Sequence, residues 1–137
     1  MSKTPVSHLD ETPPAARTIG KEIVEVCPES GDVRLKFVAR PEFANRHGTV
    51  GGGFLAAMLD SSAAAPCLAR LPPERTLVTT ELHVSFVGPA SVGEIHGVGR
   101  IARLGERDAA SEAEVSMPDG TVVARATAKF RVVRRRS

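Results

Sequence analysis

Between Asn45 and Asp60 the chain reads NRHGTVGGGFLAAMLD, and this stretch holds two ingredients of chemistry at an acyl carbon. Gly51, Gly52 and Gly53 open a run of good helix formers, so the unpaired N–H groups of a helix start stand unshielded by side chains and can approach a ligand oxygen. The helix dipole favours negative charge developing at that end. One backbone donor so placed typically contributes about 2.7–4 kcal/mol to a transition state that carries an oxyanion, and Gly52 is the prime candidate. Asp60 supplies the second ingredient. Set among Met58, Leu59, Ala63 and Ala64, its carboxylate needs hydrogen bonds or a task. As a general base it would deprotonate a water that attacks the acyl carbon; as a nucleophile it would form a mixed anhydride. The sequence leaves both open.

Spacing adds a constraint. Asp60 lies eight residues beyond Gly52, which is ~12 Å along a helix that rises ~1.5 Å per residue. One acyl carbon cannot touch both, so a site that uses Gly52 N–H and the Asp60 carboxylate draws them from two subunits meeting antiparallel.

The elements that must position these groups are legible in the periodicity. Residues 52–71 read as the one long helix, apolar on nearly every side, which predicts burial all round. Pro66 is expected to end or kink it, and Pro72-Pro73 to stop it. Strands are expected over residues 19–27 and 32–39, where Val33, Leu35 and Phe37 alternate with Arg34 and Lys36. Four more are expected over 78–87, 94–104, 109–117 and 121–132, with Asp119-Gly120 as a hairpin turn and Gly105-Glu106 as a second tight turn. In the last strand Val122, Ala124, Ala126, Ala128, Phe130 and Val132 alternate with Arg125, Thr127, Lys129 and Arg131. One sheet face is wet and the other is core. The pattern is α+β, a sheet that must wrap a helix.

Asn45, Gly48, Gly52, Gly53 and Asp60 match in register an N-x-x-G-x-x-H-G-G signature followed by an apolar helix and an Asp. The stretch TTELHVSFVGPA over residues 79–90 is similar to a strand that ends in a Pro-Ala turn. On these motifs, which cover residues 43–132, the chain resembles the hotdog-fold acyl-CoA thioesterases of the phenylacetate-pathway, PaaI-like type. The resemblance implies a single hotdog domain, an antiparallel sheet wrapped around one long central helix. It implies side-by-side dimers with a continuous sheet, and frequent homotetramers. It implies hydrolysis of an acyl-CoA to free acid and coenzyme A without a metal or redox cofactor, coenzyme A entering only as part of the substrate. Asp60, Gly52, Asn45 and Thr79 are the catalytic candidates it implies, Asn45 to orient the carbonyl and Thr79 to steady the carboxylate or its water. Gly48, Gly51 and Gly53 would line the substrate.

Two features cut across that pattern. Gly51 stands where the family has histidine, which predicts slower turnover, a roomier acyl pocket, or both; His47 is the one nearby imidazole. Strand alternation groups Val78 with Leu82, Val84 and Phe86, and leaves Thr79 on the opposite face with Glu81 and His83. Coenzyme A carries phosphates that call for arginine or lysine at a groove rim, and Arg103 and Arg107, flanking Gly105, are the candidates, although exposed strand-end arginines are usually only solubilising.

Composition bounds the alternatives. A chain of 137 residues fits one domain that needs no disulfide staples. Aromatic residues are 4%, with no Trp or Tyr, and the net charge is only +2, a poor basis for stacking and holding nucleic acid. No apolar run approaches the ~20 residues of a membrane span. Cys27 and Cys67, the only cysteines, lack metal-ligand or C-x-x-C spacing, which points to a reducing cytoplasm and to no catalytic thiol. His8, His83 and His96 show no metal-ligand arrangement, and Ser61 and Ser62 lack a nucleophile elbow. Residues 1–18, with Pro5, Pro13 and Pro14, read as an extended arm that is neither signal peptide nor anchor. Residues 19–133 read as the hotdog domain and 134–137 as a solvated basic tail. The rival functions are a non-catalytic acyl-CoA binding or sensing module and a hydratase or dehydratase on the same fold; the latter chemistry usually pairs the acid with a histidine, which Gly51 removes.

Overall fold

The period-two alternation in the second half of the chain builds the middle and one edge of a single antiparallel sheet. A computed structural model describes residues 13–136. Helix α1 (Pro14–Thr18) leads into strands β1 (Glu22–Val26) and β2 (Val33–Ala39), a 3-10 turn at Pro41–Phe43, helix α2 (Gly52–Leu68), and strands β3 (Arg75–Phe86), β4 (Gly93–Leu104), β5 (Asp108–Ser116) and β6 (Val122–Arg134). The six strands lie in the order β1-β2-β4-β5-β6-β3, every pair antiparallel. This is the expected α+β hotdog architecture, with α2 held against one face of the sheet.

The face beneath α2 is apolar because alternate residues of β2, β5 and β6 point there. Val33, Leu35 and Phe37 from β2, Ala109 and Val115 from β5, and Ala124, Ala128 and Phe130 from β6 are buried with Leu55, Met58 and Leu59 of the helix. Each fully buried side chain of Val to Phe size contributes about 1.5–3 kcal/mol. Charged residues occupy the outer face, where Arg125 and Glu114 pair at 2.9 Å.

The helix sits closest to β4, and glycine makes that possible. A Cβ at Gly97 would lie 2.4 Å from the buried Ser62 hydroxyl, and one at Gly99 only 1.8 Å from the Ser62 carbonyl oxygen. That carbonyl is the one Pro66, four residues on, cannot bond, since proline has no N–H. Of the two expectations at Pro66, an end to the helix is corrected: α2 runs through it to Leu68. The carbonyl that loses its partner is turned into the glycine gap on β4.

Other expectations change at the edges. Residues 14–18 are not extended, since Pro14 opens α1 at a first-turn position where its missing N–H costs nothing; Pro13 before it is extended, and the rest of the expected arm lies outside the described residues. The apolar helix is not buried on every side. Gly53 and Ala57 are exposed and Ala56, Asp60, Ala64 and Leu68 half-buried, because one sheet covers only one side of it. Arg134 belongs to β6 rather than to a free tail: it faces Arg75 across the β3–β6 ladder, and the Arg135 N–H donates to the Glu74 carbonyl at 2.7 Å. β3 starts three residues earlier than its apolar pattern indicates, because Arg75 and Thr76 pair with Arg134 and Val133.

The two cysteines differ sharply. Cys67 is buried, 3.2 Å from the Ser111 hydroxyl, and burial pushes its thiol pKa up. Cys27 is half-exposed in the β1–β2 turn, and the Ser30 hydroxyl, followed by the backbone N–H groups of Ser30 and Glu29, draws its pKa down.

Two outcomes follow from this packing. Gly99→Ala forces a methyl into the Ser62 carbonyl and should destabilise the fold by about 1–3 kcal/mol or more; urea unfolding checks it, and an unchanged midpoint would contradict the close seating of α2 on β4. Because the thiolate is the reactive form, Cys27 should alkylate with iodoacetamide at a pH below that required by an unperturbed thiol, while Cys67 stays protected until the chain unfolds. Mass-mapped labelling across pH reads both, and equal rates at the two sites would overturn the assignment.

Candidate active site

The loop ahead of α2 is shaped by Asn45. Its side-chain oxygen accepts the His47 N–H at 2.9 Å and the Thr49 N–H at 3.3 Å, and its own N–H donates to the Thr49 carbonyl at 2.8 Å. Gly48 turns the loop with φ near +80°, a conformation that excludes most side chains. Asn45 thus acts first as the loop's organiser, and only its amide N–H₂ is left to face a ligand. His47 is exposed at the rim.

The loop delivers Gly51 as the N-cap of α2, with no side chain capping the helix. The Gly51 carbonyl takes the N–H groups of Phe54 and Leu55 at 3.0 and 3.3 Å, and the Gly51 N–H is spent on the Phe43 carbonyl at 2.9 Å. Gly51 is therefore no donor to a ligand. The N–H groups of Gly52 and Gly53 have no hydrogen-bond partner among the described residues, and both glycines are exposed. They are the first orphan donors of the helix.

Aromatic rings bracket this helix start, which sequence reasoning missed because no periodicity links them. Phe54 stacks on Phe43 with ring centroids 4.1 Å apart, and Arg40 lies over Phe43 at 5.3 Å. The edge of Phe54 stands 3.5 Å from where a Cβ at Gly51 would be, and the tip of Phe86 stands 3.1 Å from where one at Gly52 would be. The space beside Gly51 is thus bounded on one side by a phenyl ring.

Asp60 lies on the open side of α2, half-buried. The Thr79 hydroxyl donates to its Oδ1 at 2.8 Å, leaving Oδ2 for another partner. Strand alternation alone places Thr79 on the wrong face, and a β-bulge explains the difference. Thr79 pairs with Phe130 and Glu81 with Lys129, so Thr80 is an extra residue in the ladder. A bulge reverses the parity of what precedes it. Thr79 and Leu77 therefore share the helix side with Leu82, Val84 and Phe86, while Val78 turns to the outer face and is 52% exposed. The Thr80 hydroxyl secures the bulge by donating to the Lys129 carbonyl at 3.1 Å.

Arg103 stands apart from these groups. It pairs across the ladder with Ala110 on the outer face and is held by Asp108 at 3.4 Å. Gly105 closes the β4–β5 turn through its N–H to the Asp108 carbonyl at 2.8 Å, and the Arg107 carbonyl accepts the Val132 N–H at 2.9 Å. A shallow groove between His83, Arg100, Glu112 and Arg125 also belongs to the outer face.

Residues 47–124, more than half of the chain, match the family described as the thioesterase superfamily. The chain belongs to the thioesterase superfamily. Among solved structures it is similar to a phenylacetic acid degradation-related protein from Ralstonia eutropha JMP134, with 35% identity over 92% of this chain and 98% of that one and a TM-score of 0.84. It is similar to the BH2602 protein from Bacillus halodurans, solved with CoA, at 27% identity over 87% and 76% of the two chains and a TM-score of 0.74. The Escherichia coli PaaI protein of the phenylacetic acid degradation operon shares the fold, with a TM-score of 0.81 at 17% identity over 93% and 89% of the chains. No curated protein is a significant match. The PaaI-like resemblance read from the motif is thus supported over nearly the whole chain. Among the described residues no helix is long and apolar enough to cross a membrane.

In this thioesterase-superfamily chain the bulge is what brings Thr79 to Asp60. Thr79→Val removes a hydrogen bond to a charged group and should lower thioester turnover ~10-fold, the rate equivalent of ~1.4 kcal/mol, with Thr79→Ser restoring most of it. Steady-state thiol release for the three proteins reads this, and full activity in Thr79→Val would remove Thr79 from the site.

Proposed function

We propose that this protein hydrolyses an acyl-CoA thioester to the free acid and coenzyme A at a site shared between two subunits. The observation that carries the reading is the pair of uncommitted backbone donors at Gly52 and Gly53 on the same open helix side as a carboxylate that Thr79 holds. The separation of ~12 Å along one helix supports a partner helix running the other way. The thioester oxygen then rests on Gly52 N–H of one subunit, and Asp60 of the other deprotonates the attacking water or itself attacks the carbon.

The tetrahedral oxyanion is met by donors that need no reorganisation, and its collapse expels the thiolate of coenzyme A, which takes up a proton. The amide of Asn45 stands at the rim to orient the carbonyl, Gly48 and Gly51 shape the approach, and Phe54 and Phe86 wall the acyl group beside Gly52. These steps need only water as co-reactant.

The free edge of β3 supports the dimer. Among the described residues this strand of 12 residues bonds only β6, and a long unprotected edge is a template for pairing with another chain. The half-buried stripe of α2, with its small residues, is suited to the close approach of a second helix. A dimer of dimers and a cytoplasmic setting complete the reading.

Complementation between two inactive variants tests site and subunit sharing together. Gly52→Pro deletes the N–H at a helix position that tolerates proline, with Gly51 already extended before it; Asp60→Asn deletes the base or nucleophile. Each alone should lose ~100-fold or more in kcat. Co-refolded together, they should regain thiol release from a panel of acyl-CoAs, because each mixed dimer contains one intact site. No regain would reject the shared site, and substantial activity in Asp60→Asn alone would reject the mechanism. Retained binding of acyl-CoA without hydrolysis by the wild type would point instead to a binding module.

A further inference from the structure

A pair of arginines stands at one end of the β3–β6 ladder. Arg75 and Arg134 are direct cross-strand partners, both exposed, and neither makes an ion pair among the described residues. Like charges directly opposite one another destabilise a sheet, so the fold alone gives no reason for them. The pair is also firmly mounted. Just beyond it, Arg135 donates its N–H to the Glu74 carbonyl at 2.7 Å and its Nε–H to the Pro73 carbonyl at 3.1 Å, which ties the end of β6 to the segment entering β3.

Their face decides what they can do. Cross-strand partners share a face, and the partners Thr79 with Phe130, Leu77 with Val132, and Arg75 with Arg134 follow one another without a shift. The two arginines therefore project on the helix side of the sheet, the side on which Thr79 holds Asp60. Arg75 lies four residue steps from Thr79 along the strand, ~13 Å at ~3.3 Å per residue. The chain that links a coenzyme A sulfur to its diphosphate is a little over four residue-lengths, ~15 Å when extended. Arg103, by contrast, lies on the outer face and is already paired with Asp108.

The geometry points to Arg75 and Arg134 as the phosphate cradle of the substrate, receiving the nucleotide phosphates of a coenzyme A thioester whose carbonyl lies at Asp60. This rests on the proposed acyl-CoA reading and adds to it a site on the strand ends. Arg75 lies within the stretch that matches the family, residues 47–124, and Arg134 beyond it. Guanidinium groups suit the role because they bind phosphate through two parallel N–H bonds. An anion there also relieves the repulsion that the empty pair carries.

The test compares the full-length wild type, the double variant Arg75→Gln/Arg134→Gln and the charge-preserving Arg75→Lys/Arg134→Lys. Substrates are an acyl-CoA and the matching N-acetylcysteamine thioester, which has the same reacting carbonyl and no phosphate. In the glutamine double variant KM for the acyl-CoA should rise ~10-fold or more, as expected for lost hydrogen bonds between charged groups, with kcat nearly constant. The truncated thioester should show no such rise, and the lysine variant should recover much of the acyl-CoA KM.

Equal losses on both substrates, or none on the acyl-CoA, would overturn the cradle. With the acyl thioester of an acidic carrier protein as a third substrate, a loss confined to that substrate would also overturn the cradle and make the arginines a protein-docking patch. A lower unfolding temperature in the unliganded double variant would overturn it too, since relieving like charges should leave that temperature unchanged or raise it. Calorimetric titration with coenzyme A separates this inference from the hydrolase reading. If the wild type hydrolyses neither ester, hydrolysis fails, yet binding of coenzyme A that the glutamine variant loses upholds the cradle and unchanged binding rejects it.

Discussion

The depth at which α2 seats on β4 governs the positions of nearly everything else. Gly97 and Gly99 leave no side chains between strand and helix, so Ser62 presses its hydroxyl and carbonyl onto the strand backbone. Pro66 complements this by leaving the Ser62 carbonyl without an intrahelical partner. With the middle of the helix fixed there, Gly52 is carried to the loop end of the sheet and Asp60 to the open side beside β3. A side chain at Gly99 would lift the helix, and both ends of the site would move with it.

Asp60 is then aimed by a second irregularity. Without the extra residue at Thr80, regular alternation would turn the Thr79 hydroxyl to the outer face, and the carboxylate would lose the donor on its Oδ1. The loop before the helix is organised on similar lines. The Asn45 side chain substitutes for a backbone acceptor, Gly48 supplies the left-handed turn, and the Gly51 N–H is consumed by Phe43. What remains unspent is the pair of N–H groups at Gly52 and Gly53.

Much of this was legible in the residue order, and the reasons are local. The Gly51-Gly52-Gly53 helix start and Asp60 declare themselves by type and spacing, and the alternation in β6 by period. The side to which Thr79 points was not legible, because a bulge leaves the composition of a strand unchanged while inverting its parity. The end of β6 was hidden by its own charge: Arg134 reads as tail until its partner Arg75 is known. Pro66 reads as a helix breaker unless Gly99, far away in sequence, is seen to make room for the carbonyl it frees. The rings of Phe54 and Phe86 meet the glycines only through packing of the loop and the end of β3.

The helix start has a consequence for how such a protein can diverge. Its candidate donors are main-chain groups, so no ordinary side-chain replacement other than proline removes them, and the rings that border them are free to change size or shape. Asp60, by contrast, rests on one side chain and one hydroxyl. Under the proposed function, sequence drift can therefore remodel the walls around a thioester while leaving the donors intact, so that new acyl preferences would be reachable in single steps without loss of the hold on the carbonyl.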